Sequence, residues 1–446
     1  MRILWVCNIM LPMVARYLNK EENNKEGWLT GLADMILKNR SDNQIELAVA
    51  FPAQQGLCEK NIQVPVKYGS EEESGVLTCY GFLEDTAHPE CYSKELEIRL
   101  QEIIQDFKPD VVHCFGTEYP HTLAATRVCP REKILIGIQG LCKLYAQRYT
   151  ADLPERVIRR VTFRDWLKRD SIALQHEKFI LRGEHEVEAI LNAGHVTGRT
   201  WIDKEFSADV NPQVQYHFMN ETLRSHFYEG RWQLNECRKH SIFLSQGDYP
   251  IKGLHYMLKA MPDILEQFPD ARVYVAGNSI ANNRTWKDKI KISSYGKYIL
   301  ELLKEYHLED KVVFLGKLNA QEMKAQFLKS SLFVCPSVIE NSPNSLGEAM
   351  LIGMPCVTAQ VGGIRSVFSD GADGIAYPGY GADCYEMEED KEQAQALALA
   401  KAVIRMWSDE EQMLRYAANA SVHAQKTHNG QANYERLVEI YQEIAK

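Results

Sequence analysis

The chain has no apolar run approaching the roughly 18 residues that a membrane-spanning helix needs. It also has no surplus of positive charge. Its 60 acidic and 51 basic residues leave a net charge of −9, which excludes a chain that is basic throughout for gripping nucleic acid. Any anion binding must come from local groups. The 11 cysteines, an odd number, include no Cys-x-x-Cys pair, which argues against a zinc cluster or a secreted disulfide framework. No G-x-G-x-x-G follows the first apolar run, which weakens a dinucleotide oxidoreductase. No repeat of 20–50 residues and no low-complexity tract is present. The opening stretch MRILWVCNIMLPMVARYLNK carries a single early Arg2 and is broken by Asn8 and Pro12, unlike a signal peptide. It reads as a first strand, and a cytoplasmic setting is expected.

What is present is alternation. RILWVC (2–7), ELAVAF (46–51), KPDVVHCFG (108–116) and KILIGIQG (133–140) are short apolar runs that fit buried parallel strands. A helix is expected from Trp28 to about Lys38 and another over 94–107. EKFILRG and GHVTGRT read as the last two strands of this half. The pattern then restarts with SIFLSQG (241–247), ARVYVAG (271–277), KVVFLG (311–316), SLFVCPS (331–337) and PCVTAQ (355–360), with helices between most of them. Two doubly wound α/β domains follow from this alternation. Their junction is expected in the polar, aromatic-rich stretch 210–240, and a helical tail over about 391–446. In open sheets of this kind ligands bind outside the carboxyl ends of the strands, so function belongs in the loops after them.

The most informative segment is SVIENSPNSLGEAMLIGMP (337–355). It places Glu340 in a loop after a strand and Glu348 eight positions on. Asn344 or Ser345 is expected to cap a helix that carries Glu348 in its first turn. A helix N-terminus offers unpaired N–H groups and partial positive charge, which suits phosphate. A carboxylate beside it suits sugar hydroxyls. The plainer alternative is that both acids merely favour the positive end of a helix.

The E-x7-E spacing, the preceding PS, the following EAM-x-x-G-x-P and the later QVGGIRSVFSDGADGIAY resemble glycosyltransferase family 4 of the GT-B fold, most specifically from about Ser241 to Tyr377. The resemblance implies two Rossmann-like domains facing across a cleft: 1–225 on the acceptor side, 237–420 binding the nucleotide-sugar, and a helix over 421–446 crossing back. It implies retaining transfer of a hexose from a nucleotide-diphosphate sugar. By this similarity Glu348 would hold the ribose hydroxyls, and Glu340 would meet the donor sugar near the reacting carbon. The N–H groups of Asn344, Ser345 and Leu346 would cradle the sugar and diphosphate. Pro343 departs from the family's Gly-rich turn and has no N–H to give.

SQGDYPIKGLHYMLKA (245–260) resembles the family segment in which an Arg and a Lys grip the diphosphate. Lys252 matches the Lys, while Gly247 fills the Arg position, and Arg365 is a candidate stand-in. Taken alone, Lys252 reads as a solvated surface lysine. Main-chain groups near Gly316 and Leu318 would pair with the base, leaving uridine and guanosine both open. Gly277 and Asn278 lie on the same loop edge. Gly27, in NNKEGWLTGLA, matches a turn through which the backbone would approach the donor phosphate. Gln139 stands where many members carry a His, and it can donate a hydrogen bond but cannot take up a proton. His113, Glu118 and His121 are placed after the neighbouring strand, where one His could orient the acceptor. Arg199 either points into the cleft or makes a structural ion pair.

No Asp-x-Asp occurs in the chain, so no catalytic metal and no resident cofactor are expected, the nucleotide-sugar (UDP- or GDP-hexose) being a substrate. The segment ERVIRRVTFRDWLKRD (155–170) is basic and aromatic. It is either a core-packed helix with a solvated face or a peripheral contact with an anionic membrane. The expected partners are the donor and a saccharide or lipid-linked saccharide acceptor, with no nucleic acid, in surface polysaccharide biosynthesis. The rival is a non-catalytic GT-B subunit that binds a nucleotide-sugar or a partner enzyme, motivated by the missing Arg and His.

Overall fold

The computed structural model describes the chain apart from residues 21–26, 40–43, 60, 69–72, 279 and 281–289. It divides into two compact units. The first holds residues 1–143, 179–224 and 428–446, and the second holds 144–178 and 225–427. Each is an α/β unit built on one sheet, as the alternation predicts.

The first sheet has eight strands in the order β3-β4-β2-β1-β5-β6-β7-β8. They are β1 (Arg2–Val6), β2 (Glu46–Pro52), β3 (Ile62–Tyr68), β4 (Glu73–Phe82), β5 (Val111–Phe115), β6 (Ile134–Gly137), β7 (His195–Gly198) and β8 (Gln215–Phe218). All pairs are parallel except β3 with β4. The central strands β1 and β5 are buried almost throughout, which is why they read as unbroken apolar runs. The C-terminal helix Gly430–Ile444 belongs to this unit and joins its core through Tyr434, Leu437 and Tyr441. There the Trp5 indole N–H donates to the Tyr441 hydroxyl at 2.8 Å.

The second sheet has six strands, all parallel, in the order β11-β10-β9-β12-β13-β14. They are β9 (Arg238–Leu244), β10 (Arg272–Ala276), β11 (Val312–Gly316), β12 (Ser330–Cys335), β13 (Cys356–Gln360) and β14 (Ile375–Pro378). Phe243, Phe327 and Phe333 pack ring against ring in its core.

Several expectations differ from the structure. EKFILRG is not a strand. It lies within the helix Ile172–Asn192, where Ile180 and Leu181 are exposed, so a three-residue apolar run there marks no buried strand. The polar junction stretch 210–240, in which no strand stands out by sequence, contains β8 and the start of β9. The pair β3 and β4 lies at the sheet edge, where alternating burial hides the signal. Residues 144–178, expected in the first domain, cluster with the second unit, and the single helix expected over 155–170 is two short helices, Glu155–Ile158 and Phe163–Lys168.

Candidate active site

In the second unit the loop after β12 is held by main-chain approaches that only glycine permits. Gly253 has φ +70°, and a Cβ there would lie 2.0 Å from the Pro336 carbonyl oxygen. Gly362 has φ +48°, and its Cβ would lie 2.1 Å from the Glu340 carbonyl oxygen. The Val338 N–H donates to Ile251 O at 2.8 Å, and the Gly363 N–H donates to Glu340 O at 2.9 Å. The glycines of IKGL and VGGIR therefore clamp residues 336–340 from two sides.

The clamp fixes one buried ion pair. Lys252 Nζ donates to Glu340 Oε1 at 2.6 Å, and the Ser337 hydroxyl donates to the same oxygen at 2.7 Å. The side chains are 19% and 7% exposed. Burial works against the lysine's charge, but the Glu340 carboxylate, with Tyr249 and Tyr145, outweighs it and holds Lys252 well above its ordinary value. Lys252 is thus charged and half-enclosed rather than solvated.

Glu348 is buried on the helix Asn344–Leu351. The cap differs from expectation. Pro343, with no side-chain hydrogen bond, precedes the first helical residue, Asn344, and Glu348 falls beyond the first turn. The N–H groups of Leu346 and Gly347 both donate back to Pro343 O. The Leu346 N–H is therefore engaged within the turn. The N–H groups of Asn344 and Ser345 precede the first acceptor that the helix itself supplies.

At the carboxyl ends of β10 and β11 the structure brings Gly277 and Gly316 together, with the Gly277 N–H donating to Gly316 O at 3.0 Å. Both have positive φ, and a side chain at Gly316 would meet open space. Leu318 follows in the loop, half-buried. Asp248, which sequence reasoning passed over, sits against this edge. Its Oδ2 accepts from the Asn278 side-chain amide at 2.6 Å, while its buried Oδ1 has no donor among the described residues. The absence of an arginine at Gly247 has a steric reason: a Cβ there would meet Val275 Cγ1 at 2.8 Å and Leu254 Cδ2 at 3.1 Å. Arg365 is exposed on the short helix Ile364–Val367 and reaches Gln360 at 3.4 Å, which does not make it a substitute cation beside Lys252.

In the first unit Gln139 follows β6, and its Oε1 accepts from Arg199 at 3.3 Å. Arg199 also donates to Ile138 O and pairs with Glu221 at 3.0 Å, so the structural ion pair is the reading that holds. These residues line a hollow of about 20 Å³ with His113, Thr197 and Asn433, room for a water. Among the described residues, His113 Nε2, Thr197 Oγ1 and Arg199 Nε are buried there without a hydrogen-bond partner. His113 lies inside β5 rather than after it, and burial pushes it down to about 3. The Tyr441 hydroxyl accepts from the Trp5 indole and lies 2.7 Å from His113 Nδ1. With its value lowered by burial, His113 is held neutral. His121 is also buried, on a helix, paired with Glu84 at 2.9 Å. Glu118 Oε1 accepts from the Gly140 N–H at 2.6 Å. Gly27 opens the helix Gly27–Lys38, while residues 23–26 of its motif lie outside the described residues. Buried Glu186, which no local pattern announces, accepts the N–H groups of Cys142 and Lys143 and the Thr117 hydroxyl. Burial raises it to about 7.

Residues 228–423 match the family model described as glycosyl transferases group 1. Over that stretch the chain is similar to group 1 glycosyl transferases. An uncharacterized glycosyltransferase of Methanocaldococcus jannaschii, MJ1607, is 31% identical over 146 residues, covering 32% of this chain and 33% of that one. In the first curated relatives the matched stretch spans only 31% to 43% of their length. Sucrose-phosphate synthase from Thermosynechococcus elongatus superposes with a TM-score of 0.65 at 15% identity, covering 99% of both chains. Anabaena Alr3699/HepE in complex with UDP gives 0.62 at 13% identity, covering 99% of this chain and 100% of the other. At such identities the structures establish the fold, two Rossmann-like units of the GT-B class. Lys252, Glu340 and Glu348 all fall inside the matched glycosyltransferase stretch.

Proposed function

We propose that this protein is a retaining hexosyltransferase, moving a hexose from UDP- or GDP-hexose to a saccharide or lipid-linked saccharide in surface polysaccharide biosynthesis. The observation that carries the reading is the charged Lys252 pinned against Glu340 beside the helix Asn344–Leu351, within the group 1 stretch. A diphosphate leaving group gains negative charge as the glycosidic bond breaks, and a fixed cation there stabilises the transition state. Lys252 supplies that cation, and the N–H groups of Asn344 and Ser345 supply dipoles. Glu340 lies against the donor sugar and Glu348 against the ribose, with Gly277, Gly316 and Leu318 lining the base. Gln139 orients the acceptor without acting as a base, and the departing phosphate takes the acceptor's proton. The reaction needs no metal ion and no resident cofactor. UDP in the neighbouring Anabaena structure makes UDP-hexose the first donor to try. A lipid-linked acceptor would require the protein to meet a membrane.

The test is turnover of UDP-, GDP- and ADP-sugars by the purified protein, after a thermal-shift screen for the donor that stabilises it. Turnover with retained anomeric configuration, abolished by Glu348→Ala, supports the reading. Donor binding with no turnover for any acceptor indicates the non-catalytic subunit instead.

A further inference from the structure

The basic segment 155–170 combines two features that do not ordinarily coexist. It is rigidly anchored, and it exposes its largest apolar side chains. The anchors are polar. Asp165 is fully buried and accepts from the Ser294 N–H at 2.8 Å and the Ser294 hydroxyl at 2.5 Å. The Thr162 hydroxyl donates to Ile292 O at 2.7 Å, and Arg156 and Arg160 both pair with Glu301. Thr162 and Asp165 also form a capping box that starts the helix Phe163–Lys168. On that helix Phe163, Trp166 and Leu167 stand at i, i+3 and i+4, hence on one face. They are 59%, 67% and 65% exposed, beside Val161 at 59%. A helix that packed its apolar face inward would show the reverse pattern.

Charge surrounds this face. Residues 155–170 carry six cationic and three acidic side chains in a chain whose net charge is −9. Lys168 and Arg169, exposed at the helix end, make no ion pair among the described residues. We propose that Phe163, Trp166 and Leu167, with Lys168 and Arg169, dock this protein on an anionic lipid surface. Aromatic rings at headgroup depth with lysine and arginine beside them are what such a surface binds. A second copy fits less well, since a two-fold contact would set the same cations against themselves. With a net charge of −9 the protein as a whole is repelled by an anionic membrane, so a patch that binds one also sets its orientation. The purpose of the contact, reaching a lipid-linked acceptor, rests on the transferase reading. The contact itself does not.

The experiment is co-sedimentation of the full chain with vesicles of phosphatidylcholine, with or without phosphatidylglycerol. Binding to the mixed vesicles, weakened by salt, is expected. Lys168→Glu with Arg169→Glu lowers it about thirtyfold or more, taking about 1 kcal/mol per lost cation. Phe163→Ser with Trp166→Ser and Leu167→Ser abolishes it while leaving the melting temperature unchanged, because these side chains are exposed. Equal binding by the variants, or no binding of the native chain to mixed vesicles, overturns the proposal. A dimer in solution that the triple variant disperses also overturns it, in favour of a second copy. Vesicle binding without sugar transfer would refute the proposed function and leave this inference standing.

Discussion

The pair Lys252–Glu340 can be dissected by Lys252→Met, Glu340→Gln and the double substitution. At 2.6 Å and an effective dielectric of about 20, the direct attraction is about 6 kcal/mol. Much of it offsets the cost of burying both charges. What matters is asymmetry: removing one partner leaves a buried charge uncompensated, at about 3–5 kcal/mol. Lys252→Met leaves Glu340 with the Ser337 hydroxyl alone. For a unit of this size that should lower the melting temperature by about 6–20 °C, at about 2–4 °C per kcal/mol. Glu340→Gln keeps both hydrogen bonds and costs less. The double variant should cost far less than the sum, with a coupling of about 2–3 kcal/mol. Additive losses within about 0.5 kcal/mol would refute the argument that the pair acts as one unit. The raised Lys252 gives the pH signature. A raised folded value means stabilisation that is complete below the lysine's unfolded value and lost as pH rises through the folded one. The gap between native protein and Lys252→Met should therefore be flat from pH 6 to 9 and shrink only in strong alkali. Nucleotide binding separates structure from chemistry. Glu340→Gln removes a carboxylate that competes with the diphosphate for Lys252, and should tighten nucleotide diphosphate about fivefold, for about 1 kcal/mol, while sugar transfer falls. Lys252→Met should weaken both.

Other perturbations test the surroundings. Gly253→Ala would push a methyl group into the Pro336 carbonyl at a residue with φ +70°; it should destabilise by about 2 kcal/mol or more, read by denaturant melts, and lower transfer because Ser337 and Glu340 follow in the same loop. Gly247→Arg should fail to restore the family's second cation, because its Cβ would meet Val275 Cγ1 at 2.8 Å; a loss of about 1–3 kcal/mol without gain in turnover is expected in thermal melts and donor assays. Glu186 is raised to about 7 by burial, so its folded form keeps a proton that the unfolded chain releases near 4.5; its stabilisation is lost as pH rises from about 4.5 through 7, and Glu186→Gln should remove up to about 1.4 kcal/mol per pH unit of that slope. Transfer should persist in excess EDTA, and its loss with recovery on a divalent ion would refute the metal-independent reaction.

Five of the six strands of the second sheet were readable because each is a short apolar run ending in a glycine, proline or polar loop, while the four-residue β14 went unread. Glu340 and Lys252 were legible only through motif spacing, since no local property of SVIEN or YPIKG says that they meet. Burial is what spacing cannot supply. His113 looks like a loop histidine in VVHCFG, yet it sits in β5 under Trp5 and Tyr441, the last of these 328 residues away. Glu186 and Asp248 were missed for the same reason: a carboxylate that accepts backbone or amide hydrogens from distant segments leaves no periodic trace. The 155–170 segment was ambiguous because amphipathicity does not say which face points inward. Asp165, fully buried on Ser294, together with Thr162 on Ile292 and Arg156 and Arg160 on Glu301, shows that the polar side is the anchored one.

Read as motif letters, Gly253, Gly362 and Gly363 belong to separate family segments. In the fold they converge on five residues, 336–340. Two of them yield their Cβ space to carbonyl oxygens, and the third donates its N–H. In the proposed reaction Glu340 must hold Lys252 charged while meeting a sugar, and side-chain rotamers alone would not fix it, since small displacements weaken short-range electrostatics steeply. Fixing its main chain from both sides meets that demand, and only residues without a Cβ allow it. It follows that Gly362→Ala, remote in sequence from every charged group of the site, should lower sugar transfer more steeply than it lowers stability, and a variant that loses only stability would show that the clamp does not position Glu340.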